Sequence, residues 1–361
     1  MLNILVPLSG GESFKVSEEH KYPKILTDID GQLLLERAAK PFLSLEREYK
    51  ITIALPQPEA EKYQLQNVMR LLGKNVETCS INGSTQGAVC SALLATEELK
   101  FDAPLIVTSF EQVLDMDINE HIDTFINEGV DAGVLTFEAM HPKWSYVKTD
   151  SENFVTQAAE KMPISNKAIA GLYYFKSVNL FIESAKSMIR KDVNTNGCFY
   201  ISPTLNEVIL NEGKVKSIDI DKANYFHLSD DYDLNNYEKK VVSDSSQTKI
   251  ALLRQTQAYA ETFNLKNIDT LADFFDNNSV LIDPKGEFVG KNVIYDYVKG
   301  IFNEAKSLDF ISKNIYVTGE YSSIIEFELR IDDLRLVGTD VIEWSSEFKI
   351  KELRAYLHEV K

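Results

Sequence analysis

Cysteine and histidine are scarce in this chain, and both are scattered. Three cysteines occur, Cys79, Cys90 and Cys198, far apart and without metal or disulfide spacing. They suit a reducing compartment and positions in or near a core. The five histidines form no HxxH or HxxxH pair, which argues against a structural zinc. No uninterrupted apolar run reaches the length of a membrane span. The first apolar segment is too short for a signal peptide and has no lysine-rich start, so a cytoplasmic protein is expected. Positive charge is also in deficit: 38 Lys and Arg against 55 Asp and Glu leave a net charge of −17. That argues against general nucleic-acid binding, which needs a basic face. A small phosphorylated ligand stays open, because a few lysines or a bound divalent cation can reverse the field inside one cleft.

What is present is ordinary for a globular protein: 44% apolar and 26% charged residues. The 361 residues leave room for about two domains. Through about residue 240, short apolar runs alternate with helical periodicity. Strands are expected at 2–8, 51–55, 105–107, 132–137 and 171–175. Helices are expected at 32–43, 59–72, 87–94, 118–128, 178–190 and 203–211. This order predicts an α/β domain over 1–238 with a mostly parallel sheet, whose ligands sit at the carboxyl ends of strands. A polar, serine-rich stretch follows, and 239–249 reads as the linker. From 250 to 361 the order changes to helices (250–275 and 292–305), then strands at 325–331, 334–337, 341–344 and 348–357. That predicts an α+β domain with one curved antiparallel sheet.

The first strand runs into Ser9-Gly10-Gly11-Glu12-Ser13-Phe14, and Tyr22-Pro23-Lys24 follows. Glycines after a strand can turn backbone N–H groups toward an anion, and a lysine can return a point charge. Taken alone, the loop reads equally as a plain turn.

The ordered motifs VPLSGGESF with YPKIL, STQGAVCSALLA (84–95), LIVTSFEQVLDMDI (105–118), HPKWSYVKTD (141–150), AEKMPISNKAIAGLYYF (159–175) and NGCFYISPTLNEVI (196–209) make residues 2–238 resemble a family. It is the sugar-phosphate nucleotidyltransferases, in their bacterial surface-polysaccharide form. The resemblance implies a Rossmann-like fold of the GT-A type. It also implies a reaction joining a nucleoside triphosphate to a sugar phosphate, with pyrophosphate released and Mg2+ required. Two polyanions must meet, so charge has to be neutralised and the attack held in line.

By the same resemblance Ser9, Gly10, Gly11 and Lys24 serve the triphosphate, and Gln86-Gly87 the nucleobase. Glu111 holds the metal. Glu160 contacts the sugar and Lys161 its phosphate, and Lys143 and Asn206 are further substrate contacts. Each has a plainer alternative: a surface lysine, a helix start, a strand-end acid, an exposed ion pair, a helix-surface amide. Three departures stand out. The loop lacks the family's arginine and carries Glu12, Glu111 stands where the family has aspartate, and His227 falls where many members have a second metal-binding aspartate. Loss of one such electrostatic group costs on the order of a hundred- to a thousandfold in rate.

Residues 250–361 resemble the SnoaL-like members of the nuclear transport factor two-like superfamily, through GTDVIEWSSEFKIKELRAYLH (338–358) and YAETFNLKNIDTLADFF. That implies a cone-shaped fold with a pocket between helix and sheet, where Asp283 and Asp340 are candidates by location. It also implies a homodimer. The expected function is nucleotidyl transfer to a sugar phosphate or related small phosphate, for capsule or other surface glycan. The alternative is a catalytically weakened protein that binds a nucleotide or nucleotide-sugar and acts as scaffold or regulator.

Overall fold

The computed structural model describes residues 1–8, 14, 16, 22–228 and 230–360. It divides into two compact units, Met1–Glu238 and Lys239–Lys361.

The first unit begins with β1 (Leu2–Pro7), the small hairpin β2 (Asp28–Ile29) and β3 (Gln32–Leu33), then α1 (Leu34–Leu43) and β4 (Tyr49–Pro56). Next come α2 (Gln57–Lys62), α3 (Leu65–Leu71), β5 (Val76–Ile81), α4 (Ala88–Leu94), β6 (Leu105–Thr108), β7 (Gln112–Leu114) and α5 (Asn119–Asn127). β8 (Ala132–Glu138), β9 (Tyr146–Thr149), β10 (Val155–Ala159), β11 (Lys167–Phe175), α6 (Val178–Arg190), α7 (Thr204–Leu210), β12 (Val215–Asp219) and β13 (Tyr225–His227) complete it. The boundary between the units falls inside α8 (Asp231–Asn264).

β5, β4, β1 and β6 run parallel. Their apolar runs, such as Ile4-Leu5-Val6 and Ile51 to Leu55, are buried almost throughout, because helices cover a parallel sheet on both faces. β11 joins β6 antiparallel and carries the sheet on to β8 and β9. β12 pairs parallel with β8, and β10 antiparallel with β9. β7 and β13 form a separate two-stranded ribbon.

One helix was expected over 59–72, and two are found. Gln64 breaks the run in the left-handed region (φ 52°), and its side-chain amide donates to the Glu61 carbonyl at 2.9 Å, which helps satisfy the broken end. The expected linker 239–249 is helical, in the interior of α8. Residues 231–264 contain no glycine or proline to stop the helix, and Lys240 pairs with Asp244 one turn on. No residue of 239–249 is buried, which is what made the stretch read as a linker.

The second unit adds α9 (Ile268–Ala272), β14 (Phe275–Asp283), β15 (Gly286–Val289), α10 (Lys291–Glu304), β16 (Leu308–Thr318), β17 (Ser322–Ile331), β18 (Leu334–Trp344) and β19 (Ile350–Glu359). The strands order as β15-β14-β19-β18-β17-β16. The expected all-antiparallel sheet is mixed, since β14 lies parallel to β19 with Leu281 opposite Leu353. β14 was unseen because Asp276-Asn277-Asn278 interrupts its apolar pattern, and the register shifts there. The two expected strands 334–337 and 341–344 are one. Gly338, in the gap between them, is a close contact: a Cβ there would lie 2.6 Å from both the Leu357 side chain and the Tyr356 carbonyl. Helices and sheet enclose a core that includes Tyr259, Phe310, Phe327, Ile342 and Trp344.

Candidate active site

Gln86, Gly87, Glu160, Lys161, Lys143 and Glu111 lie on segments linked by an unbroken series of contacts. It starts at the turn before α4. The Phe199 N–H donates to the Gln86 carbonyl at 2.8 Å, and the Val89 N–H donates to the Phe199 carbonyl at 3.2 Å. Gly87 sits between them at φ 108°, where a Cβ would lie 2.6 Å from the Phe199 oxygen. The approach of Phe199 is therefore sufficient reason for glycine at this position.

Tyr200, the next residue, accepts a 2.8 Å hydrogen bond from the Lys161 ammonium. That bond, chiefly, raises the Lys161 pKa above its ordinary value and holds the group charged. Lys161 itself occupies the left-handed region at φ 53°, an uncommon conformation for a residue with a side chain. Glu160 beside it accepts from the hydroxyls of Ser145 and Ser202, the latter at 2.6 Å.

Ser145 leads to Trp144, whose ring meets the His227 ring edge-on at 4.9 Å between centroids. Lys143 lies 4.6 Å from the centroid of the Trp144 ring and pairs with Asp233 at 3.5 Å. Burial first, then the charge of Lys143, holds the His227 imidazole down to about 4, so it is neutral at pH 7. Its Nδ1 is buried without a hydrogen-bond partner. Lys24, buried in a short 3-10 turn (Lys24–Leu26), also acts on His227 through its charge.

Glu111 follows β6 at its carboxyl end. Its carbonyl accepts from the Leu228 N–H at 2.9 Å, so the metal-acid candidate and the His227 segment are backbone neighbours. The acids after His227 have other work: Asp230 caps α8 by accepting from the Asp233 N–H at 2.8 Å.

Four predicted residues stand apart from this series. Asn206 spans the Ala158 peptide, accepting from its N–H and donating to its carbonyl, both at 2.8 Å. Its amide ties α7 to β10. Ser9, Gly10 and Gly11 lie outside the described residues.

Sequence reasoning passed over Gln112. Its buried amide donates to the Gly171 carbonyl at 3.0 Å and accepts from the Tyr225 hydroxyl at 3.1 Å, which fixes β7, β11 and β13 around Glu111. Gly171, at φ 61°, leaves space for that amide, since a Cβ would lie 1.9 Å from it. The signal was the Glu111-Gln112 pair itself, in which only the acid was given a role.

The fold has solved counterparts. The nucleoside-diphosphate-sugar pyrophosphorylase from Vibrio cholerae RC9 matches 66% of this chain and 100% of its own, with a TM-score of 0.58 and 19% identity. A Bacillus anthracis protein assigned as a glucose-1-phosphate thymidylyltransferase, solved with a sucrose, matches 67% of this chain and 95% of its own (TM-score 0.54, 16% identity). The first unit has the sugar-nucleotidyltransferase fold. An NTF2-like protein of unknown function from Cytophaga hutchinsonii matches 30% of this chain and 89% of its own, but its TM-score of 0.27 at 9% identity carries no argument. No protein-family model matches the chain, and no curated protein matches it.

Within the nucleotidyltransferase-fold unit, the donor set for Mg2+ is sparse. Among the described residues no group of three or more His, Cys, Asp or Glu side chains is arranged to hold a metal. Mg2+ needs little from a protein in such a site, since one or two carboxylates and the substrate phosphates complete its shell. Glu111 fits that requirement as the protein's carboxylate. His227 does not, because Mg2+ prefers oxygen donors. No described helix is long and apolar enough to cross a membrane.

Proposed function

We propose that the first unit joins a nucleoside triphosphate to a sugar phosphate, or a related small phosphate, and releases pyrophosphate. The observation that carries this reading is the series of contacts from Gln86-Gly87 through Tyr200, Lys161, Glu160, Ser145, Trp144 and His227 to the Glu111 segment, on a sugar-nucleotidyltransferase fold.

A phosphate oxygen of the acceptor attacks the α-phosphorus of the triphosphate, the α–β bond breaks, and pyrophosphate leaves with the electron pair. Lys161, held charged by Tyr200, neutralises the acceptor phosphate, and Glu160, fixed by two serines, orients the sugar. Lys24 and the glycine loop Ser9-Gly10-Gly11 bind the triphosphate, with Gln86 and Gly87 at the base, and Lys143 and Asn206 are further substrate contacts. Glu111 is the residue to hold Mg2+, which supplies charge neutralisation on the phosphates when bound. The reading makes the protein cytoplasmic, where triphosphates are available, and a homodimer. A role in capsule or other surface glycan follows from the sequence resemblance.

The second reading, a weakened nucleotide or nucleotide-sugar binder, is favoured by a specific observation. His227, which pairs with Gln112 beside Glu111, offers a largely buried neutral imidazole where the sequence resemblance leads one to expect a carboxylate. Pyrophosphate release and calorimetry on the same preparation separate the two. Turnover supports the enzyme. Tight nucleotide binding without turnover, together with a large rate gain on Glu111→Asp and an arginine restored in the loop, supports the binder.

A further inference from the structure

Two of the three cysteines, distant in sequence, meet beside the candidate site. Cys90 lies in the first turn of α4, and its thiol donates to the Gln86 carbonyl at 3.8 Å. The same carbonyl accepts from the Phe199 N–H at 2.8 Å. Cys198 is the residue before Phe199, so one oxygen holds both Cys90 and the neighbour of Cys198. The two thiols act on each other electrostatically, and both are half-buried. Cys198 is also held from behind. Its N–H donates to the Thr195 carbonyl at 3.1 Å and its carbonyl accepts from the Thr195 N–H at 3.0 Å, across a tight turn with Asn196 at φ 54° and Gly197 at φ 77°.

We propose that Cys90 and Cys198 form a reversible disulfide, made by a hydroperoxide and undone by a dithiol, that clamps the turn at Gln86-Gly87 to the segment 198–202.

The surroundings divide the roles. Cys198 has the Lys161 ammonium within electrostatic reach, and a lysine beside a thiol is the setting of a reactive cysteine. Burial, chiefly, raises the Cys90 thiol above its ordinary value, which suits the second step and not the first contact with peroxide. The Cys198 sulfur takes one peroxide oxygen as a sulfenic acid, and the O–O bond breaks to release an alcohol, or water from hydrogen peroxide. The Cys90 thiol then displaces that oxygen as water, and the S–S bond forms. Exchange with a dithiol restores both thiols. Cys79 is set apart. It lies on β5 opposite Ala54, and burial, then the charges of Glu98 and Glu97, raise its thiol. Those acids oppose the thiolate through which oxidation begins.

The segment 198–202 carries Tyr200, which accepts from Lys161, and Ser202, which donates to Glu160. A covalent tie to α4 therefore acts on the two groups that hold Lys161 and Glu160. The effect on turnover rests on the nucleotidyl-transfer reading above, whereas the bond itself does not.

Near-stoichiometric hydrogen peroxide, added to the reduced full chain, tests this by thiol counting, peptide mass mapping and hydrogen exchange. Free thiols should fall from three to one, the survivor being Cys79, with a crosslink between residues 90 and 198 within one chain. Amide exchange should slow at 86–90 and 198–202, and dithiothreitol should reverse both changes. Cys79→Ser should form the same crosslink. Cys90→Ser and Cys198→Ser should form none and keep the turnover of the reduced protein. Oxidation should lower pyrophosphate release by about a hundredfold, the scale of a small misplacement of substrate-holding groups. If the reduced chain releases no pyrophosphate, the function reading fails, and the crosslink and exchange still decide the proposal. Three thiols remaining, a crosslink through Cys79, single oxidised cysteines without a crosslink, unchanged exchange, or full turnover in the crosslinked chain would overturn it.

Discussion

The Lys161 ammonium donates to the Tyr200 hydroxyl at 2.8 Å and lies 4.6 Å from the centroid of the same ring. This contact joins two stretches read separately in the sequence, 159–175 and 196–209. It also ties the acceptor-phosphate candidate, through Phe199, to the turn at Gln86 and Gly87. Lys161→Met should lower kcat/KM for pyrophosphate release by about a hundred- to a thousandfold. Tyr200→Phe keeps the ring and loses only the hydroxyl, so its loss should be near tenfold. Steady-state kinetics of both variants check this, and equal losses would contradict the division of roles.

Gly87→Ala should destabilise the first unit whatever the ligand. The new Cβ meets the Phe199 carbonyl and the backbone is held at positive φ. A loss of about 1–3 kcal/mol is expected in urea unfolding. An unchanged midpoint would mean that Phe199 retreats at little cost.

Gln112→Leu should cost about 1–3 kcal/mol, because the buried Tyr225 hydroxyl loses the group it donates to. It should also reduce turnover, since Glu111 is the next residue and its carbonyl is held by Leu228 across the same ribbon. Loss of stability with turnover intact would show that Gln112 supports the fold and not the site.

The sequence made β1, β4 and β6 of the first sheet legible because they are buried on both faces and read as continuous apolar runs. β5, β9, β10 and β12 escaped: their burial is uneven, so neither alternation nor a run stands out. In the second unit the alternation of Ile325, Phe327 and Leu329 marked β17, while the mostly exposed β16 carried no such signal. Of the candidate site, the residue types and their order were visible. What each partner does was not, because it depends on neighbours distant in sequence: Tyr200 on Lys161, Gln112 against Gly171, Asn206 committed to the Ala158 peptide.

The pH dependence of folding should carry the mark of Asp340. Its carboxyl titrates near 8 when folded and near the ordinary 3.8 when unfolded. Between those values the folded chain holds the extra proton, so stability falls as pH rises through that window. Asp340→Asn removes the effect. Urea unfolding at pH 5 and pH 8 should show the variant gaining on the native protein by about 1 kcal/mol or more at the higher pH. Parallel behaviour would mean that Asp340 is not buried in its acid form.

Pyrophosphate release tests the central claim most directly. The purified full chain is to be incubated with each nucleoside triphosphate, Mg2+ and a panel of sugar phosphates. At least one pairing should release pyrophosphate in proportion to the nucleotide-sugar formed, and Lys161→Met should lose that activity. No release from any pairing, by protein that still binds a nucleotide, would contradict the account and leave the first unit a binding protein.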